Sequence, residues 1–368
     1  MKSKQVLKDM TPYQPGKQIE EVKETYGLNK IVKLASNENP FGHSPEVTNY
    51  FSRYQSSFNL YPDGYTGELR HVLADRLKVS EDQLIFGSGT DEIVQIITRA
   101  FLYPGVNTVM ATPTFPQYKH NALVEGAQVK EVPTVNGYHN LSAILEAIDQ
   151  RTSVIWLCSP NNPTGCLIPR NHLYDFLDQC PKDVLIVLDE AYLEYVDSTF
   201  QPGILQYLQQ YDNVIVLRTF SKAYGLAGLR IGYGIANSGL ISDLDVVRGP
   251  FNTSTIAQKA AITALEDEAF LNDTVTRNQA IKRSFEAFLD SIGWNYYDSH
   301  TNFLLISMPI SGEQTFQYLL EHGFIVRAGE GLGVPDTVRI TIGSETDMQE
   351  LQRVLYQLNT AITEGTWS

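Results

Sequence analysis

Leu217-Arg-Thr-Phe-Ser-Lys222-Ala-Tyr-Gly-Leu-Ala-Gly-Leu-Arg230 follows the apolar run Val214-Ile215-Val216. That run, with Leu217, reads as a buried strand, because continuous Val/Ile/Leu with no polar alternate needs cover on both faces. The Gly-rich segment leads into a second strand-like run, Ile231–Ile235. Lys222 therefore sits in a loop at the carboxyl end of a strand, beside the Ser221 hydroxyl and upstream of Arg230. Open α/β sheets bind their ligands at that end of the strands. An amine held against apolar walls loses its proton more readily and adds to aldehydes, and a neighbouring serine and arginine suit a phosphate. A single loop lysine is explained as well by solvation, so the rest of the chain has to decide.

Outward from this stretch, the same pattern repeats. Leu84-Ile-Phe86 reads as a strand followed by Gly87-Ser-Gly-Thr-Asp91 and the amphipathic helix Glu92–Phe101. A Gly-rich turn opening a helix offers free N–H groups and the positive end of the helix dipole to an anion. Thr90 and Asp91 serve equally as ordinary helix caps. Strands over Asn107–Ala111, Gln128–Val132, Ser153–Cys158 and Val184–Leu188 alternate with helices around His120–Gly126, Leu141–Asp149 and Arg170–Gln179. The last two strands end in Ser159-Pro-Asn-Asn162-Pro-Thr-Gly165 and Asp189-Glu-Ala-Tyr192. This alternation predicts an α/β fold, with a mainly parallel sheet sandwiched by helices.

The pattern changes on either side. Residues 1–45 are punctuated by Pro and Gly, with one short helix near Ile19–Tyr26 and the loop-like Lys33-Leu-Ala-Ser-Asn-Glu-Asn-Pro-Phe-Gly42. Past Gly249 a long helix is expected over Ala257–Leu289. Strands then follow at Asn302–Ser307, Gly323–Arg327 and Thr337–Ile342, with helices at Glu313–Glu321 and Thr346–Thr360. The expected division is a large unit over residues 46–255 and a smaller α+β unit built from residues 1–45 and 256–368. Arg327 and Arg339 fall in its half-buried strands, where a guanidinium needs an anionic partner.

A net charge of −14 with no dense Lys/Arg run argues against nucleic-acid or anionic-membrane partners. Cys158, Cys166 and Cys180 show no CxxC spacing and suit a reducing, cytoplasmic setting. The scattered histidines offer no metal-ligand pair.

Four loops, after four strands of one sheet, thus carry complementary groups. Lys222 offers an amine. Asp189 can hold a pyridine nitrogen protonated, and Asn162 and Tyr192 can donate to a ring oxygen. Thr90, Asp91, Ser221 and Arg230 can surround a phosphate, and Phe115 can stack on a ring face. Together they describe a pocket for pyridoxal 5'-phosphate, bound through an imine to Lys222.

Ser159–Gly165, Asp189–Tyr192, Ser221–Lys222 and Arg230 resemble, in order and approximate spacing, the fold-type I pyridoxal-phosphate enzymes of the class I/II aminotransferases. The likeness runs from about Pro12 to Leu358. Within that group, six segments resemble the histidinol-phosphate aminotransferases: Thr11–Lys17, Lys33–Pro40, Tyr61-Pro-Asp-Gly64, Leu217–Arg230, Pro250-Phe-Asn252 and Val338–Gly343. Phe115 stands where many relatives carry tyrosine, and His43 where a small residue is more usual. The resemblance implies a homodimer in which Tyr61 and the N-terminal segment reach the partner's site. It also implies transamination between L-histidinol phosphate and 2-oxoglutarate in histidine biosynthesis, with Lys222 moving the proton. Tyr13, Arg327, Arg339 and Asn162 are then the substrate contacts. Aromatic amino-acid transamination, phosphothreonine decarboxylation and cofactor-dependent regulation without turnover are the competing expectations.

Overall fold

A computed structural model of the chain describes residues 2–8, 10–12, 16–54, 57–201 and 203–367. Its first strand, β1 (Val32–Lys33), lies outside the main sheet. The main sheet comprises β2 (Leu84–Gly87), β3 (Asn107–Thr112), β4 (Gln128–Pro133), β5 (Thr152–Cys158), β6 (Leu185–Asp189), β7 (Val214–Thr219) and β8 (Gly232–Ala236). Their spatial order is β2-β8-β7-β6-β5-β3-β4. Only β8 is antiparallel to its neighbours, β2 and β7. The strands that precede the four chemistry-bearing loops, β2, β5, β6 and β7, therefore all point the same way, and their loops share one edge. Asp189 pairs in register with Cys158 on one side and Leu217 on the other, which aligns the central strand ends.

Both faces of the sheet are covered, as the uniformly apolar strands require. In β6, Ile186 and Leu188 pack toward the helices Gly67–Leu77, Arg170–Gln179 and Thr255–Glu266, whereas Val187 packs toward Thr90–Phe101 and Pro116–Glu125. The period-two alternation of the strand thus serves two separate cores. Helices at Pro45–Arg53, Ile204–Gln210 and Ser238–Val247 were not anticipated from the sequence. The first starts at Ser44, whose hydroxyl accepts from Glu46 N, with Pro45 in the first turn, a common opening for a helix.

Outside the main sheet also lie β9 (Phe303–Ser307), β10 (Phe324–Ile325), β11 (Arg327–Ala328) and β12 (Thr337–Thr341). A three-stranded sheet runs β11-β12-β9, and β1 joins β10 in parallel. The single strand expected over Gly323–Arg327 is thus two short strands in two different sheets, with Val326 between them.

The single helix expected over Ala257–Leu289 is also two helices, Thr255–Glu266 and Glu268–Ser291. Asp267 breaks it. Its backbone leaves the helical region (φ −94, ψ 71), and its carboxylate accepts from Phe270 N at 3.0 Å, capping the second helix. Ser44 Oγ donates to the same carboxylate at 2.5 Å. The first helix packs through Ala257, Ala260, Ala261 and Leu265 into the core on one face of the main sheet, and the second through Phe285 and Leu289 into the core beside β9 and β12.

Candidate functional site

The shared sheet edge opens into a cavity of about 360 Å³. Residues from all four loops line it: Thr90 and Asp91, Asn162, Asp189 and Tyr192, Ser221, Lys222 and Arg230. Phe115, Arg327 and Arg339 complete the set of expected residues gathered there. Tyr61 is not among them. It is 82% exposed and stacks on Phe251 with ring centroids 4.7 Å apart, on the outside of the chain. Tyr13, expected as a substrate contact, lies outside the described residues.

The anion-binding corner depends on the turn after β2. Gly89 has φ +78, and a Cβ there would stand 2.3 Å from Arg230 Nη2. Glycine is thus needed both for the backbone conformation and for the close approach of the guanidinium. Arg230, itself left-handed at φ 54, donates from Nη1 to Ser221 Oγ at 3.2 Å and from Nη2 to Asp91 Oδ2 at 3.3 Å. Thr90 and Asp91 open the helix Thr90–Phe101, so its unpaired N–H groups point into the same corner. Asn252 braces the turn by donating to Phe86 O and to Glu92 Oε2, each at 2.9 Å.

Asp189 ends β6 with 4% exposure. Burial raises its carboxyl to about 6, opposed by hydrogen bonds from Tyr118 and from Ala191 N. Tyr118 OH donates to Asp189 Oδ2 at 2.6 Å, and Ala191 N donates to Oδ1 at 3.1 Å. The Tyr118 ring is fully buried and stacks on Trp156 with centroids 4.7 Å apart. A buried carboxylate of this kind favours a cationic partner such as a protonated ring nitrogen.

Lys222 Nζ donates to Ser36 O at 3.1 Å and stands 5.8 Å from the centre of the Tyr192 ring. Burial and then the Arg339 charge lower its ammonium to about 8. Burial pushes the Tyr192 phenol well above its ordinary range, and its hydroxyl accepts from Asn37 Nδ2 at 2.8 Å. Asn37 is left-handed (φ 55) and is pinned to β12 and its neighbour through Thr341 and Asn302. The loop Lys33–Gly42 therefore links the small three-stranded sheet to the main-sheet edge at the lysine.

From β12, Arg339 Nη1 donates to Asn162 Oδ1 and Nη2 to Ala35 O, both at 2.6 Å. Arg327 is its cross-strand partner in the β11–β12 pair. Two guanidiniums on directly opposed residues repel each other unless an anion joins them. Tyr118, Asn37 and Asn252 were not singled out from the sequence as functional. The motif-like surroundings of Asn37 and Asn252 were the available signals; Tyr118 falls just ahead of the helix expected around His120–Gly126 and carries no signal of its own.

The family model for aminotransferase class I and II matches residues 29–358. A curated relative, histidinol-phosphate aminotransferase 2 of Oceanobacillus iheyensis, is 55% identical over 360 residues, spanning 98% of this chain and 99% of that protein. The crystal structure of histidinol-phosphate aminotransferase from Sinorhizobium meliloti in complex with pyridoxal-5'-phosphate superposes with a TM-score of 0.89. It shares 26% identity and covers 97% of each chain. The structure of L-threonine-O-3-phosphate decarboxylase from Porphyromonas gingivalis is also similar, with a TM-score of 0.79 and 25% identity over 89% of this chain and 99% of that one.

Proposed function

The chain belongs to the class I and II aminotransferases, and we propose that it transfers the amino group between L-histidinol phosphate and 2-oxoglutarate, with pyridoxal phosphate held in the cavity at the sheet edge. The observation that carries the substrate is the pair Arg327 and Arg339, side by side on one cavity wall. The donor set fits the cofactor: a turn that only glycine permits at Gly89, a carboxyl at Asp189 raised by burial, and an amine at Lys222 lowered by it.

When bound, the cofactor supplies an aldehyde carbon for the amine and a pyridine ring that takes up electron density. Asp189 keeps the ring nitrogen protonated. Thr90, Asp91, Ser221 and Arg230 hold the phosphate, Phe115 covers a ring face, and Asn162 and Tyr192 donate to the ring oxygen. Lys222 Nζ would accept the proton from the substrate's amine-bearing carbon and deliver it to the cofactor's aldehyde-derived carbon, as base and acid in turn. Arg339 binds the substrate carboxylate of glutamate or the phosphate arm of histidinol phosphate. Arg327 reaches the longer arm, and Tyr13 joins it. Gly16 lies beside Arg327, where a Cβ would stand 3.6 Å from Nη1, so the N-terminal segment borders this anion site.

The assignment predicts that Arg327→Ala raises the Michaelis constant for histidinol phosphate by about tenfold or more, the worth of a charge-assisted hydrogen bond. The constant for glutamate should change by less than about threefold. Equal losses for both substrates would remove the reason for naming histidinol phosphate. Product assays separate the rivals: decarboxylation releases carbon dioxide without a keto acid, and an aromatic enzyme prefers phenylalanine or tyrosine as donor. A cytoplasmic setting and a homodimer complete the reading, with Tyr61 serving the partner's site.

A further inference from the structure

The cavity that contains Lys222 and Arg339 extends to Lys119 and Glu131. Lys119 lies in the first turn of the helix Pro116–Glu125, and Phe115 is the extended residue just before that helix. Glu131 lies on the edge strand β4, in register with Met110, another cavity residue. Lys119 Nζ meets Glu131 Oε2 at 2.5 Å, with side-chain exposures of 48% and 34%. An ion pair this open to water contributes little to stability, so opening it toward a ligand costs little.

Transamination passes two amino donors through one site. Both are anchored at the same end, but they differ at the other: histidinol phosphate carries an imidazole with an N–H to donate, and glutamate a second carboxylate. A wall of one charge would reject one of them, and an apolar wall would leave both unpaired. We propose that Lys119 and Glu131 are the side-chain readers of this dual specificity. Glu131 accepts from the imidazole N–H, and Lys119 pairs with the distal carboxylate of glutamate and of 2-oxoglutarate. The ion pair between them stands in for whichever substrate group is absent. This inference rests on the histidinol-phosphate reading above and adds the residues that choose between its two donors.

The test uses the holoenzyme and follows each half-reaction by the change in cofactor absorbance. Glu131→Met should lower the ratio of kcat/KM for histidinol phosphate over glutamate by about tenfold, and Lys119→Met should raise it by about tenfold, each through loss of one hydrogen bond to a charged group. Glutarate, a dicarboxylate without a reactive amine, should bind Lys119→Met about tenfold more weakly by calorimetry. A ratio that moves by less than about threefold in either variant, or in the same direction in both, overturns the proposal. Failure of the underlying reading looks different: the unmodified enzyme would not convert histidinol phosphate at all. Both side chains are partly exposed, and matching thermal unfolding of the variants and the parent excludes a folding defect.

Discussion

The Tyr118 hydroxyl donates to the Asp189 carboxylate from a helix 71 positions earlier in the chain. Removing it with Tyr118→Phe keeps the stacking on Trp156 but takes away a donor that stabilises the charged carboxylate, so Asp189 should titrate above about 6. Its grip on a protonated ring nitrogen weakens accordingly. The expected result is a fall in kcat of about tenfold, the cost of losing a hydrogen bond to a charged group, with KM moving less. An unchanged kcat would reduce Tyr118 to packing. Lys222 gives a pH prediction. Burial lowers its ammonium to about 8, so the neutral amine accumulates as pH rises through that value. Capture of an aldehyde by the cofactor-free protein should therefore accelerate up to about pH 8 and level off above it. An ordinary lysine would go on accelerating toward pH 10.4, and that profile would count against a tuned amine. Lys222 and Asp189 stand out in the sequence because Asp189 closes an apolar strand and Lys222 follows one in a loop. Tyr118 does not, since an aromatic residue reveals nothing of a partner brought to it by the fold.

Among the elements, the turn joining β2 to the helix Thr90–Phe101 carries the sharpest constraint. Gly89→Ala would place a methyl group at φ +78 against the Arg230 guanidinium. Arg230 has to withdraw, and the strain of about 1–3 kcal/mol falls on the anion corner rather than on either core. Cofactor affinity should drop by about tenfold or more, while the unfolding temperature without cofactor changes little. Equilibrium titration with pyridoxal phosphate checks this, and an unaltered dissociation constant would mean that the corner tolerates the shift. Gly-Ser-Gly-Thr-Asp announced this element through its composition. The break at Asp267 was harder to see. The residues on both sides are good helix formers, and an aspartate inside such a run reads as a solvated face position. Only the cap to Phe270 N and the bond from Ser44 make it a boundary, and the second of these comes from far upstream in the chain. The split of the strand expected at Gly323–Arg327 has a similar origin. Phe324 and Ile325 pair with β1, whereas Arg327 and Ala328 pair with β12, and a local apolar pattern cannot tell one partner from the other.

At the scale of the whole molecule, the stretch from Phe58 to Tyr65 gathers several exposed apolar side chains. Phe58, Leu60, Tyr61 and Tyr65 are 81%, 66%, 82% and 75% exposed, and Phe251 meets the Tyr61 ring beside them. Aromatic and aliphatic exposure of this kind suits an interaction surface. On the homodimer reading proposed above, Tyr61 would leave its own chain and enter the partner's cavity, and each site would then need Lys222 from one chain and Tyr61 from the other. That requirement can be tested by complementation. Lys222→Ala alone lacks the amine at both sites of its dimer, and Tyr61→Ala alone lacks the tyrosine at both. In a mixed dimer, the chain with intact Lys222 receives an intact Tyr61 from its neighbour, so one of the two sites is whole. Equal amounts of the two variants, unfolded together and refolded, should therefore recover about a quarter of the parental number of complete sites, since half of randomly paired dimers are mixed. If Tyr61 acted within its own chain, no pairing could bring both groups to one site, and the mixture would stay as inactive as the average of its parts.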